Sequence, residues 1–177
     1  MCIVGRVTGV AQLHNVLYVV CEKSSIIKTY TTDTLSPLAE DIHVKGMTDP
    51  SDIVACRHGR QLFVADYYCI WRVIPDVHSY VKWLVTTSRV NTLSLTCRRI
   101  LMTSWWSPTI RQYSTANKEL CVVSLQQYVK VLYHAVETTH GTFVVSHQGT
   151  SQDERQYAVS ELFRLCHMVV TLIARKN

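Results

Sequence analysis

The sequence predicts an all-β protein, a β-propeller of about four blades that each contain four antiparallel strands. Two observations lead to this fold class. A self-similar unit of about 42 residues recurs along the chain. Within each unit the apolar segments are short and rich in Val, Ile, Thr and aromatic residues, whereas 3.6-residue periodicity is confined to the last residues, after Ser160. Short strands repeated at such a period are typical of propeller blades.

The repeat is recognised from an aromatic residue or leucine in the second strand of each unit. The spacings between these residues are 45, 38 and 42, and they are Tyr18, Phe63, Leu101 and Phe143. A short loop and then a third strand follow each of them, with the third strands expected at 27–30, 70–73, 110–113 and 155–159.

The remaining strands complete each unit. The innermost strands are expected at 9–13, 52–56, 91–95 and 133–137. The fourth strands are expected at 38–44, 80–85 and 120–125. The blades then span approximately 9–46, 50–88, 90–126 and 131–160, within a propeller domain of residues 1–160.

A tail of residues 161–177 follows, and it supplies either a last strand or a short helix. Leu162, Leu165, Met168 and Leu172 are spaced three, three and four apart, which would suit an amphipathic helix. A ring of six such blades needs about 250 residues, so this chain is expected to form an open or incomplete ring. Open blade edges favour self-association.

The segment 50–73, "PSDIVACRHGRQLFVADYYCIWRV", resembles a blade of the NHL-type six-bladed β-propellers. The matching features are Pro50 before the innermost strand, the turn at Gly59, the "LFVAD" strand and the "IWRV" strand. The Asp of "VAD", Asp66, is replaced by Cys21, Ser104 and Ser146 in the other units. The resemblance implies an interaction scaffold; some NHL propellers bind RNA, and a related six-bladed branch comprises calcium-dependent lactonases.

Composition and charge are those of a globular protein of one domain. The chain has 177 residues, is 47% hydrophobic and 18% charged, and carries a net charge of +5, which permits an anionic partner without requiring one. Its seven cysteines show no C-x-x-C spacing, so we expect free thiols in a reducing compartment. With no secretory signal and no long apolar segment, the sequence predicts a cytoplasmic protein that does not associate with membranes.

Two pairs of adjacent aromatic residues fall in the loops between second and third strands. These are Tyr67 with Tyr68, and Trp105 with Trp106. Two large aromatic residues side by side in a loop are not easily both buried, so at least one of each pair should be exposed and available for binding. The alternative is that these side chains fill space between blades.

Arg72 and Arg111 are expected to hold the same position in neighbouring third strands, with Lys28 as the nearest equivalent in the first unit. Together with the aromatic pairs, such a basic stripe would suit single-stranded RNA. The alternative is a set of solvated charges on the strand faces.

No catalytic motif is found in the sequence, so we expect neither an enzyme nor a cofactor. Asp49 and Asp52 flank the start of the second innermost strand, where calcium-dependent lactonases hold their metal. Gly9, Asn91 and His134 are the corresponding residues elsewhere, which is too few oxygen ligands for calcium. The sequence therefore favours a non-catalytic scaffold for a protein or peptide partner. RNA binding is the alternative, and a calcium-dependent lactonase-like hydrolase is the least favoured.

Overall fold

The computed structural model describes residues 5–96, 99–125, 129, 131–138, 143–148 and 169–173. Within them the chain forms antiparallel strands β1 to β15 and one short 3₁₀ helix. The chain divides into two compact units, residues 1–90 and 91–177. Each unit contains two sheets, and in every sheet the strands follow one another in chain order.

The first unit holds two four-stranded sheets. Sheet 1 consists of β1 (Val7–Leu13), β2 (Val16–Cys21), β3 (Ile26–Thr31) and β4 (Ile42–His43). Sheet 2 consists of β5 (Pro50–Cys56), β6 (Gln61–Asp66), β7 (Cys69–Ile74) and β8 (Ser79–Val85), with the 3₁₀ helix Pro75–Val77 between β7 and β8.

The second unit holds a four-stranded and a three-stranded sheet. Sheet 3 consists of β9 (Val90–Thr96), β10 (Arg99–Ser104), β11 (Ser107–Ser114) and β12 (Glu119–Ser124). Sheet 4 consists of β13 (Val131–Glu137), β14 (Phe143–Gln148) and β15 (Val169–Ile173).

Most of the predicted strands are confirmed, and two require correction. The fourth strand of the first unit was expected over 38–44, but the regular strand beside β3 is only Ile42–His43. The segment before it is held by an isolated bridge between Pro37 and Tyr30 and by a hydrogen bond from Thr29 Oγ1 to Glu40 O at 2.7 Å. The strand that pairs with β14 on the side opposite β13 is β15, not 155–159.

A strand has two hydrogen-bonding edges, and those of β14 pair with β13 and β15. Segment 155–159 is outside the described residues, as are Leu162, Leu165 and Met168 of the expected tail helix. Leu172, the fourth residue of that pattern, lies in β15.

Burial is greatest in the second strand of each four-stranded sheet. In β6 every residue from Leu62 to Asp66 is buried, whereas β8 and β12 at the outer edges are mainly exposed or partly exposed. The apolar core of the first unit joins sheets 1 and 2 through Leu13, Val20, Ile27, Ile53, Leu62, Val64 and Trp71.

Innermost strands are linked by side-chain hydrogen bonds to backbone carbonyls about one repeat away. In the first unit Thr8 Oγ1 donates to Pro50 O at 2.7 Å. In the second unit Asn91 Nδ2 donates to Leu132 O at 3.1 Å. Gly9 lies so close to the next strand that a Cβ there would come within 2.8 Å of Ile53 N. The innermost strands therefore need small or short polar residues at these positions.

Asp66, the last residue of the "VAD" strand, is buried and organises the segment that leads into sheet 2. Its carboxylate accepts hydrogen bonds from Asp49 N at 2.7 Å and from Thr48 N at 3.2 Å. It also accepts one from Trp71 Nε1 at 2.9 Å. These partners satisfy the buried charge, so the described contacts give Asp66 a structural role.

The described cysteines are free thiols: Cys21, Cys56 and Cys69 are buried and Cys121 is partly exposed. Burial is the main reason that the pKa of Cys69 is raised to about 11, which leaves it a protonated, unreactive thiol. Cys2, Cys97 and Cys166 lie outside the described residues. No helix in the described part of the chain is long and apolar enough to cross a membrane.

Candidate interaction surface

Each aromatic pair forms the two-residue turn between the second and third strands of its sheet. Tyr67 and Tyr68 connect β6 to β7, and Trp105 and Trp106 connect β10 to β11. We call these the tyrosine turn and the tryptophan turn. Two-residue hairpin turns require left-handed backbone positions, which Gly and Asn adopt at least cost.

Both turns place a large aromatic residue in the left-handed region. The φ angle is +39° at Tyr67 and +60° at Trp106. The left-handed region costs a residue with a Cβ about 1 kcal/mol. Both turns therefore carry aromatic residues where smaller residues would fit the backbone better. This backbone strain suggests that the aromatic side chains are kept for binding.

At least one residue of each pair is exposed, as the sequence predicted. Tyr67 is 40% exposed and Tyr68 is 48% exposed, while Trp106 is 80% exposed. Trp105 is partly buried. The two tyrosine rings meet edge to face with centroids 4.5 Å apart, and the two tryptophan rings are tilted with centroids 6.5 Å apart. These side chains do not simply fill the core.

Arg89 completes the tyrosine turn, although the sequence did not single it out. Its guanidinium lies 4.8 Å from the centre of the Tyr67 ring and its Nη2 is 3.1 Å from Asp49 Oδ2. Val90 N donates to Tyr67 O at 2.7 Å, which holds the segment carrying Arg89 against the turn. The result is a partly exposed cation fixed between an aromatic ring and a carboxylate.

Arg72 and Arg111 do not hold equivalent positions, which corrects the prediction. Strand pairing places Arg72 opposite Phe63 and Gln112 opposite Leu101. Because Phe63 and Leu101 are repeat equivalents, Gln112 occupies the position of Arg72. Ile70 and Ile110 are equivalent in the strand pairing, so Arg72 is the third residue from this point and Arg111 only the second. Adjacent residues of a strand point to opposite faces, so Arg72 and Arg111 do not form one stripe.

Arg111 is instead equivalent to Lys28, and each cation is paired with a nearby carboxylate. Lys28 Nζ contacts Asp41, and Arg111 Nη1 lies 2.9 Å from Glu119 Oε2. A hydrogen bond to the partner carboxylate is the main reason that the pKa of both cations is raised. These positive charges are locally neutralised, which weakens the case for a basic stripe.

The residues weighed as calcium ligands have other contacts. Asp49 binds Arg89, and Asp52 Oδ1 accepts a hydrogen bond from Ile53 N at 2.8 Å. Burial lowers the pKa of His134, whose Nδ1 lies 3.0 Å from a threonine hydroxyl. In the described ranges no group of three His, Cys, Asp or Glu side chains could hold a metal ion.

Comparison with known proteins identifies the fold. No protein-family model matches the chain, and no curated protein matches it. Among solved structures, hydrazine synthase of Kuenenia stuttgartiensis superposes with a TM-score of 0.70 at 17% identity, over 96% of this chain and 51% of that one. A chain of a nidogen/laminin complex superposes with a TM-score of 0.68 at 14% identity, over 81% and 57% respectively.

The fold is a β-propeller. A computationally designed protein, Ika4, is also similar, with a TM-score of 0.66 at 11% identity over 97% of this chain and 93% of the design. The propeller described here thus spans just over half of the matched hydrazine synthase and nidogen/laminin chains. At these identities the similarity concerns the fold alone.

Proposed function

We propose that this propeller is a non-catalytic scaffold that binds a protein or peptide partner through the tyrosine turn of the first unit, and that the tryptophan turn of the second unit is a separate binding element. The observation that carries the proposal is the fixed group of Tyr67, Tyr68 and Arg89. Tyrosine, tryptophan and arginine dominate the energetics of protein interfaces because they combine large apolar area with polar groups. Tyr68 offers an exposed ring, and Arg89 offers donors that Asp49 already orients.

One of the structural neighbours supports binding to a protein partner. That neighbour comes from a nidogen/laminin complex, so a protein of this fold is present in an assembly with another protein. The "VAD" and "IWRV" strands of segment 50–73 also support a relationship to NHL-type propellers. The relationship to that family is part of the proposal, as is a cytoplasmic location, which the free thiols favour.

The proposal can be tested with peptides selected from a displayed random library on the full chain. Fluorescence anisotropy then measures their affinity for Tyr68→Ala, Arg89→Ala and Trp106→Ala variants. We expect at least a tenfold loss for Tyr68→Ala, because truncating a hot-spot residue costs about 2 kcal/mol or more.

Matched controls are Val81→Ala and Leu120→Ala, which remove exposed apolar side chains on the outer strands β8 and β12. These controls should change the affinity less than twofold. The proposal is wrong if the selected peptides bind the Tyr68→Ala, Arg89→Ala and Trp106→Ala variants as tightly as the wild-type chain.

The two alternatives are less well supported. The RNA-binding alternative requires a stripe of basic residues. Arg111 and Arg72 do not form one, because Arg111 is paired with Glu119 and does not align with Arg72. A calcium-dependent hydrolase would need Asp49, which is bound to Arg89. Self-association through blade edges stays a prediction, and sedimentation across a concentration series would test it.

A further inference from the structure

A cleft of about 340 Å³ lies in the first unit, away from the tyrosine turn. Strand β7 begins next to that turn and runs to Ile74, where the 3₁₀ helix Pro75–Val77 follows. The cleft is lined by residues of this helix and of the loop before β4, so it lies at the opposite end of the strands. A ligand in this cleft would leave the tyrosine turn free.

The cleft has apolar walls and an acidic mouth. Leu38 and Pro75 contribute apolar surface, while Glu40, Asp76 and His78 contribute the polar groups. His78 Nε2 lies 3.6 Å from Glu40 Oε2. Asp76 Oδ2 lies 3.0 Å from Arg60 Nη2, so this carboxylate already pairs with one guanidinium. Two carboxylates beside an apolar cleft favour a cationic group on an aliphatic stem.

Tyr18 places a hydroxyl in this cleft that the repeat itself does not require. The side chain is 7% exposed, and its equivalents in the other sheets are Phe63, Leu101 and Phe143, which lack a hydroxyl. Among the described residues the Tyr18 hydroxyl has no hydrogen-bond partner. Burial, and to a lesser extent the charge of Asp76, raises the pKa of Tyr18, so the hydroxyl is neutral and near that carboxylate.

The Tyr18 hydroxyl is not among the fully enclosed polar atoms that lack a partner, so it opens into the cleft that Tyr18 lines. The Phe residues of the other sheets show that the core accepts an apolar ring at this position. The hydroxyl thus adds a polar group that a ligand in the cleft can reach.

We propose that this cleft binds the guanidinium group of an arginine side chain presented by a partner peptide. The planar guanidinium has five donors, enough to reach Glu40, Asp76 and the Tyr18 oxygen from one position. The aliphatic part of the arginine would pack against Leu38 and Pro75. An anion is disfavoured because both carboxylates would repel it.

The probe for this site is N-acetyl-L-argininamide, titrated into the ¹⁵N-labelled full chain and followed by amide NMR shifts. We expect saturable shifts for residues 38–41 and 76–78, with a millimolar dissociation constant typical of a single side chain, about 1–10 mM. N-acetyl-citrullinamide has the same shape without the charge and should bind at least tenfold more weakly. Equal binding of the two compounds, or no saturable shift, would overturn the proposal.

The Tyr18→Phe variant tests the role of the hydroxyl. It should bind the probe about fivefold more weakly, as expected for the loss of one hydrogen bond. Tyr30→Phe, which removes a phenol outside the cleft, is the control and should bind as the wild-type chain does. Unchanged affinity in Tyr18→Phe would contradict the assignment.

Glu40→Gln is a second test variant, and this substitution does not change the buried core. The Glu40 side chain is 78% exposed, so its replacement should leave folding intact. We expect this variant to lose at least threefold in affinity for the arginine probe and to leave the weak citrulline binding unchanged. Equal losses for the two probes would argue against charge recognition.

Discussion

The carboxylate of Asp66 accepts a 2.7 Å hydrogen bond from the backbone amide of Asp49, which ties the end of β6 to the segment before β5. The same segment carries the carboxylate that binds Arg89, since Asp49 Oδ2 lies 3.1 Å from Arg89 Nη2. The buried structural contact of Asp66 therefore helps to position the exposed group at the tyrosine turn.

Replacing Asp66 should destabilise the first unit. In Asp66→Ala the amides of Thr48 and Asp49 and the indole of Trp71 lose their acceptor, which should cost about 3 kcal/mol or more. Urea unfolding would measure this change. Ser104→Ala is the matched control at the equivalent position, where the described residues show no side-chain hydrogen bond, and it should cost less than about 1 kcal/mol. Similar losses in the two variants would contradict this role of Asp66.

A methyl group at Gly9 should also be destabilising. Its Cβ would lie 2.8 Å from Ile53 N and 3.0 Å from Asp52 Cα, and backbone atoms cannot move away easily. We expect Gly9→Ala to lower the free energy of unfolding by about 1–3 kcal/mol. At Gly59 the nearest atom is the flexible end of Gln61, so Gly59→Ala should be nearly neutral by comparison. A neutral Gly9→Ala would show that the innermost strands are not in close contact.

Trp106→Asn should keep or raise stability, which is unusual for the loss of a large aromatic residue. The side chain is 80% exposed, so little burial is lost, and Asn tolerates the φ of +60° better than Trp does. We expect a gain of up to about 1 kcal/mol in thermal or urea unfolding. A loss of more than about 1 kcal/mol would mean that Trp106 stabilises the fold. Its aromatic side chain would then be explained by stability, and the argument for its role in binding would fail.

Stability should decrease in mild acid because of His134. Burial holds its pKa below the ordinary value of 6.5, so near and below that pH the unfolded chain binds the proton more strongly than the folded chain. The stability is therefore complete above pH 6.5 and declines as the pH falls toward the folded-state pKa. Between about pH 7 and 5.5, the melting temperature of wild type should fall more than that of His134→Gln. Parallel curves for the two proteins would contradict this assignment.

Much of the fold could be predicted from sequence because the second strands carry a strong local signal. Leu62–Asp66 and its equivalents are short, mostly apolar runs, and two aromatic residues after β6 and β10 mark the turns. The third strand of sheet 4 was misplaced because β15 follows β14 after an unusually long connection. A repeat period gives no information about such an insertion.

The candidate site was predicted only in part, for a similar reason. Tyr67, Tyr68 and Trp106 are exposed as local reasoning suggested. Arg89 reaches Asp49 across 40 residues of sequence, and such a contact depends on the packing of separate segments. The supposed equivalence of two arginines failed because Arg72 lies two residues after Ile70 and Arg111 lies one residue after the equivalent Ile110, so the two occupy opposite faces.

The most direct test of the account is to find where a selected peptide touches the chain. A photoreactive diazirine analogue of such a peptide can be cross-linked to the wild-type chain, and the adducts can be located by mass spectrometry. We predict adducts at Tyr67, Tyr68 and residues 86–90, and their loss when unlabelled peptide competes. Adducts confined to the outer strands β8 and β12, with none at the tyrosine turn, would contradict the central claim.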